Sequence, residues 1–91
     1  MIKIQRYLLS RSETYIEMPY GSQILSVKEQ DRSLCLWALV DMDSTMVTRK
    51  FRVYSTGSEI DRSELRYLSH LETVTDDTEL YEWHVFEYIL K

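Results

Sequence analysis

The residues best suited to acid–base chemistry are Glu82 and His84, which are separated by a single residue. In a strand, this spacing places both side chains on one face, about 7 Å apart along the chain, and a carboxylate beside an imidazole is a common acid–base pair. Asp41 is a third candidate acid–base group. A zinc site would need a further strong ligand, because His70 is the only other histidine. Phosphate-loop, CxxC, HExxH and GxSxG motifs are absent, so we expect a non-enzymatic protein without a catalytic site, a metal site or a cofactor.

The only basic cluster lies in segment 47–54, in which apolar and polar residues alternate. In a strand, Arg49 shares a face with the apolar residues, whereas Lys50 and Arg52 lie on the other face. Arg52 and Thr56 are suited to bind a phosphate or carboxylate group. The alternative is that these cations form salt bridges with the acidic last third of the chain.

Aromatic residues make up 12% of the chain, and seven of them are tyrosines. A core of this size has no room for all of them, and Tyr and Trp are enriched at binding surfaces. We therefore expect some of them to form a contact surface for a partner protein, a small nucleotide or a second copy of the chain. The candidate binding residues are Trp37, Arg49, Arg52, Tyr54, Thr56 and His84.

The dominant sequence period is two, which is typical of strands. About seven short segments of this kind are separated by turn signals, and this spacing predicts a sandwich or a partly open barrel. We therefore predict an all-β single domain over residues 1–91, with mostly antiparallel strands. The alternative is an α+β fold, because the apolar residues of 58–71 also fit one face of a helix. The predicted strands are 2–9, 14–18, 23–30, 34–40, 47–54, 65–72 and 81–90.

Residues 34–40 form the longest apolar run of the chain. A short apolar run bounded by turn signals is typical of a strand that is buried on both faces. We expect this strand at the centre of a sheet, with Trp37 in the core and Cys35 as a small buried hydrophobe. The polar residues 41–46 are expected to join it to the next strand as a hairpin.

Composition and charge limit the class of protein. The chain has 91 residues, of which 44% are hydrophobic, and its single cysteine excludes an internal disulfide. It has no apolar run near the length of about 18 residues that a membrane span needs. The net charge is −4, with a balance of +2 in residues 1–57 and −6 in residues 58–91. Nucleic-acid binding is therefore not expected, because it depends on a basic face. Because a long apolar run is absent, we expect no membrane association. The single cysteine fits a reducing compartment, so we expect a cytoplasmic location.

Seven segments form a recognisable pattern over nearly the whole chain: 16–19, 24–27, 34–41 with its LWALVD stretch, 49–54, Thr56–Gly57, 67–68 and the HVFE motif at 84–87. In this pattern the chain resembles a family of small proteins of tailed bacteriophages and prophages that is known only as a domain of unknown function. Two segments depart from the family pattern, namely Ser69–His70, where a Gly-Thr pair is usual, and residues 88–91, which continue past the usual end. The resemblance implies a phage accessory protein in a bacterial cytoplasm and assigns no catalytic residue.

These observations lead to one main hypothesis. We expect a non-enzymatic binder that inhibits a host protein, such as a component of an anti-phage defence system. The alternatives are a sponge that sequesters a small nucleotide signal and a structural or housekeeping phage module. The apolar end of the chain also predicts a homo-oligomer, most simply a dimer, through Tyr88, Ile89 and Leu90, which we expect to extend an edge strand.

Overall fold

The computed structural model describes residues 1–90 and consists mainly of antiparallel strands. They form a three-stranded sheet in the order β1-β4-β3 and a four-stranded sheet in the order β2-β5-β7-β6. The all-β prediction is confirmed, and neither sheet closes into a barrel. Among residues 1–90, no helix is long and apolar enough to cross a membrane. The elements are β1 (Ile2–Leu9), β2 (Glu13–Pro19), β3 (Gln23–Gln30), β4 (Ser33–Asp41), β5 (Met46–Ser55), a 3-10 helix (Arg62–Tyr67), β6 (Leu68–Thr75) and β7 (Glu82–Tyr88).

The core lies between the two sheets. Alternate residues of each strand point inward, as the period of two requires. In β4 these are the even-numbered residues from Leu34 to Val40, and in β5 they include Phe51, which has no exposed surface. One buried cluster therefore draws on both sheets: Leu9, Ile16, Met18, Val27, Leu34, Leu36, Ala38, Val40, Phe51, Val53, Val74 and Val85.

The expectation that β4 is buried on both faces is wrong. Its odd-numbered residues lie on the outer face of the three-stranded sheet, where Trp37 is only half-buried and Leu39 is 37% exposed. Cys35 is buried there, between its register neighbours Leu8 and Lys28. The run of seven apolar residues therefore fills the core with one side and forms an apolar surface with the other, because no further layer covers this face.

Two other local expectations need correction. Residues 41–46 do not form a hairpin, because β4 and β5 belong to different sheets and the segment carries the chain from one to the other. The polar composition of this segment is the same for a hairpin within one sheet and for a connection between two sheets, so it does not distinguish them. The helix predicted as an alternative over 58–71 is limited to the short 3-10 helix that ends at Tyr67. The strand predicted over 65–72 begins three residues later, at Leu68.

The β3–β4 hairpin is closed by the two residues Asp31 and Arg32, which have φ angles of 50° and 66°. Two left-handed residues in a two-residue hairpin match a type I′ turn, whose twist fits that of the flanking strands. An L-residue with a side chain adopts this conformation at a cost of about 1–2 kcal/mol. Arg32 therefore carries backbone strain that glycine would not.

We predict that Arg32→Gly raises the free energy of unfolding by about 1 kcal/mol, because glycine adopts a positive φ without steric cost. Urea unfolding followed by circular dichroism measures this change. The matched control is Ser33→Gly, one residue further along in the extended backbone of β4, which should destabilise the protein. Equal effects of the two substitutions would contradict the strain at Arg32.

Candidate functional site

The outer surface of the three-stranded sheet is apolar, and we call it the apolar face. In β1, the alternation that sends Leu9 into the core sends Ile2, Ile4 and Leu8 outward, each more than 60% exposed. A bulge in β3 between Ile24 and Ser26 inserts Leu25, which is 45% exposed. The residues that define the apolar face are Ile2, Ile4, Leu8, Leu25, Trp37 and Leu39.

Trp37 lies in the middle strand of the apolar face. Its ring borders a shallow depression of about 300 Å³ that is also lined by Ile4, Leu25, Ser26 and Lys28. A large half-buried indole beside aliphatic side chains has the composition of the anchoring residues at protein interfaces. The depression therefore suits an apolar side chain of a partner.

The charges on the apolar face are almost all positive. Arg6 neighbours Trp37 in the register and donates through Nη1 to Oε1 of Gln30 at 2.9 Å. Among residues 1–90, no carboxylate lies within 4.0 Å of the cationic nitrogens of Arg6 or Lys28. Asp41, the one acidic residue of this face, lies 3.5 Å from the amino group of Met1. The face thus presents two cations that have no anionic partner in the described part of the chain.

The outer surface of the four-stranded sheet has a different chemistry. The Nζ atom of Lys50 lies 4.3 Å from the ring centre of Tyr88, and the guanidinium of Arg52 lies 4.4 Å from the same ring. Arg52 also pairs with Glu13 at 3.1 Å and with Glu64 at 3.4 Å. Lys50 lies 3.6 Å from the same Glu13 carboxylate. These cations are therefore neutralised within the chain, but of their two acidic partners only Glu64 belongs to the acidic last third that the salt-bridge alternative named.

The pairing of charges on this face shifts two pKa values. The hydrogen bond from Arg52 lowers the pKa of Glu13, because it stabilises the ionised carboxylate. A hydrogen bond to Glu64 raises the pKa of Tyr88, because the phenol proton is held between the two groups. An incoming anion would have to displace Glu13 and Glu64 from Arg52.

Farther along the same face, Glu82 and His84 are joined by Thr56 rather than by direct contact. The Thr56 hydroxyl donates to Oε1 of Glu82 at 3.0 Å, and Nε2 of His84 lies 2.7 Å from Thr56 Oγ1. On the other side of the ring, Nδ1 of His84 lies 3.0 Å from Oγ1 of Thr73, which is also 3.0 Å from Nε2 of His70. The five side chains form one continuous hydrogen-bonded chain.

The donor and acceptor in each of these hydrogen bonds follow from the Glu82 end of the series. An ionised Glu82 accepts only, so the Thr56 proton points to Glu82 and Nε2–H of His84 donates to Thr56. Thr73 then donates to Nδ1 of His84 and accepts from His70. The arrangement orients the imidazole of His84, and residues 1–90 hold no cluster of three or more His, Cys, Asp or Glu side chains that could bind a metal ion.

Arg49 and Glu87 form an ion pair on the inner side of the four-stranded sheet. Nε and Nη2 of Arg49 donate to the two carboxylate oxygens of Glu87 at 2.6 Å each, and Nη1 donates to the carbonyl of Ser22 at 2.6 Å. Glu87 is 9% exposed. Because Ser22 lies on the connection from β2 to β3, this pair ties the four-stranded sheet to the chain that enters the three-stranded sheet.

The six binding residues expected from the sequence do not form one site. Tyr54 pairs with His84 across β5 and β7, Thr56 contacts the same histidine, and Arg52 lies two residues from Tyr54 on the same face. Arg49 is turned to the opposite side of that sheet and is paired with Glu87, whereas Trp37 belongs to the other sheet.

The residues expected to mediate self-association end a central strand. β7 lies between β5 and β6, so the expectation that the end of the chain extends an edge strand is wrong. The ring of Tyr88 packs 5.2 Å from that of Tyr67, and the backbone N–H of Ile89 donates to Tyr67 at 2.7 Å. Ile89 and Leu90 are 40% and 79% exposed beside a cleft of about 510 Å³.

Sequence reasoning missed most of the apolar face. It selected Trp37 but not Ile4, Leu25 or Leu39. A signal was present, because residues 34–40 are apolar at odd and even positions alike, which also fits a strand with an uncovered apolar side. The bulge that places Leu25 on this face has no comparable signal in the sequence.

The Arg49–Glu87 pair yields a stability prediction. Arg49→Met and Glu87→Leu should each lower the free energy of unfolding by about 2–3 kcal/mol, because each leaves a poorly solvated charge without its partner. The double variant should lose less than the sum of the two single losses. Urea unfolding measures all three variants, with Glu13→Leu as a control that should lose much less. Additive losses in the double variant would contradict the coupling.

The hydrogen-bonded chain predicts the tautomer of His84. In the neutral imidazole of His84, ¹⁵N–¹H correlation spectra should show the proton on Nε2. Thr56→Val removes the acceptor and should shift the proton toward Nδ1, from which it donates to Thr73. Thr48→Val, in β5, serves as the control and should leave the tautomer unchanged. A proton on Nδ1 in the parent protein would contradict the assigned direction.

The chain was compared with curated proteins, with solved structures and with protein-family models. No curated protein and no solved structure matches the chain. The family described as a domain of unknown function (DUF7352) matches residues 1–90. The protein whose apolar face, cation–aromatic surface and buried ion pair are described above therefore belongs to the DUF7352 family.

Proposed function

We propose that the chain is a non-enzymatic protein-binding module whose apolar face covers part of a partner protein. The observation that carries this proposal is that exposed aliphatic side chains from all three strands of one sheet lie around the half-buried Trp37 on its outer side. Contiguous apolar patches are uncommon on monomers, and they mark interaction sites when they occur. The partner supplies the layer that the three-stranded sheet lacks on this side.

The resemblance to phage proteins supports a specific role for this module. We propose that the chain is a phage-type accessory protein that acts in a bacterial cytoplasm and inhibits a host protein, such as a defence component, by covering its surface. A binder of this kind needs no catalytic group and no cofactor. The alternative of a structural or housekeeping phage module uses the same face, and the neighbouring genes distinguish the two roles: virion genes favour the structural role, and defence-related genes favour inhibition.

The nucleotide sponge receives less support from the geometry. A sponge needs cations that are free to bind phosphate, next to an aromatic ring. Arg49 is held by Glu87, and Arg52 is held by Glu13 and Glu64. A metabolite-binding screen of the parent protein tests this alternative directly.

We also propose self-association through the exposed end of β7. Ile89 and Leu90 are apolar, exposed and next to the cleft that Tyr15 and Tyr88 line. A two-fold dimer is the commonest symmetric assembly of a single chain. This contact is on the four-stranded sheet and leaves the apolar face available for a different protein.

Loss of the apolar face should remove partner binding without unfolding the protein. We predict that Leu39→Ser abolishes recovery of the partner from a bacterial host lysate, because Leu39 contributes exposed surface and little core packing. The matched control is Tyr15→Ser on the outer side of the other sheet, which should retain the partner. A partner that is lost with Tyr15→Ser and kept with Leu39→Ser would overturn the proposal.

Self-association is tested by light scattering. The parent chain should form a dimer at tens of micromolar, and the double substitution Ile89→Ser/Leu90→Ser should give a monomer, because it removes the apolar surface beyond β7. Ile2→Ser/Ile4→Ser is the control on the other sheet and should remain dimeric. A parent chain that is an 11 kDa monomer at this concentration contradicts the proposal.

A further inference from the structure

We infer that the partner bound by the apolar face presents an apolar segment flanked by carboxylates, which pair with Arg6 and Lys28. This inference rests on the proposed function and specifies the chemistry of the partner. It is carried by the two cations of the apolar face that have no anionic partner among residues 1–90.

The two cations lie on opposite sides of the central strand. Arg6 is opposite Trp37 in the β1–β4 register, and Lys28 is opposite Cys35 in the β3–β4 register. Their backbones are two strand spacings apart across the sheet, roughly 10 Å, and two residues out of line along it. The Arg6 guanidinium reaches across β4 to Gln30, on the strand of Lys28. A segment that places an apolar side chain on Trp37 brings its flanking residues within reach of both cations.

Covering this face removes water from both cations. A cation that loses water without gaining an anion destabilises a complex, whereas a carboxylate placed against it restores the lost interaction. The hydrogen bond from Arg6 to Gln30 supplies a neutral acceptor only. Lys28 makes neither an ion pair nor a side-chain hydrogen bond among the described residues. The partner must therefore supply the negative charge.

The same argument disfavours a second copy of the chain on this face. A face-to-face pair would bring together Arg6 and Lys28 of both copies, and the only acidic residue of the face, Asp41, already contacts the amino group of Met1. An anionic membrane is also disfavoured, because two cations provide only about 2 kcal/mol of attraction in a chain whose net charge is −4. An acidic protein segment satisfies both the apolar and the cationic residues.

A library of random 16-residue peptides displayed on filamentous phage provides a probe that needs no known partner. Selection is performed on the parent chain and on Leu39→Ser, and peptides that bind only the parent chain are retained. We expect these peptides to combine apolar residues with Asp or Glu. One such peptide is then synthesised together with a version in which Asn and Gln replace its carboxylates.

Affinity for the two synthetic peptides, measured by fluorescence anisotropy, gives the decisive comparison. The amide peptide should bind the parent chain about 10-fold more weakly, since two ion pairs of modest strength are lost. Arg6→Gln/Lys28→Gln should bind both peptides equally, and Arg6→Glu/Lys28→Glu should prefer the amide peptide. Lys3→Glu/Arg62→Glu is the control for net charge, because neither residue lies on the apolar face, and it should keep the parent preference. Circular dichroism verifies that each variant is folded.

The outcomes separate this inference from the proposed function. If no peptide depends on Leu39, the proposed docking role of the apolar face fails. If Leu39-dependent peptides show no excess of acidic residues, or the amide peptide binds equally well, the role stands and the carboxylate partner is wrong. A parent dimer that Leu39→Ser dissociates would identify a second copy as the occupant. Leu39-dependent sedimentation with phosphatidylglycerol vesicles would identify a membrane instead, and either result overturns the inference.

Discussion

The ion pair between Arg49 and Glu87 fixes how the two sheets meet. Both side chains point toward the inside of the sandwich, where an unpaired charge would be strongly destabilising. Their two hydrogen bonds join β5 to β7, and the third, to Ser22, holds the segment that crosses from one sheet to the other. Because side chains alternate between the two faces of a strand, Phe51 shares the inner face with Arg49, and Val85 shares it with Glu87.

Because the inner faces of both sheets pack in the core, only the outer faces are available to other molecules. The two outer faces differ in how far their side chains contact one another. On the four-stranded sheet, cations, carboxylates, tyrosines and histidines contact one another, so this surface is largely satisfied within the chain. On the three-stranded sheet, aliphatic side chains remain exposed, and two cations have no carboxylate partner among residues 1–90. The asymmetry between the faces is the reason to assign binding to the apolar face.

The two edges of the four-stranded sheet are poorly suited to pairing with an added strand. β2 is an edge strand that ends at Pro19, which has no backbone N–H to donate. β6, the opposite edge, carries Glu72 next to a bulge, and charges and bulges of this kind hinder pairing with another chain. Added-strand recognition needs a regular free edge, whereas the apolar face is continuous across three strands.

The sequence by itself determined the all-β class, most strand positions and the separation of Arg49 from Lys50 and Arg52, because these depend on a local period of two. The predicted strands 23–30 and 34–40 left room for the turn that contains Asp31 and Arg32, and the predicted strand 14–18 ended one residue before Pro19, since these positions depend on local backbone preferences. Only the tertiary structure decided which strands share a sheet: the polar segment 41–46 has the same composition whether it closes a hairpin or crosses to the other sheet. For the same reason, the placement of Trp37 was not predictable, because the burial of an apolar residue depends on whether a second layer packs against it, and that layer is supplied by distant parts of the chain or by another molecule.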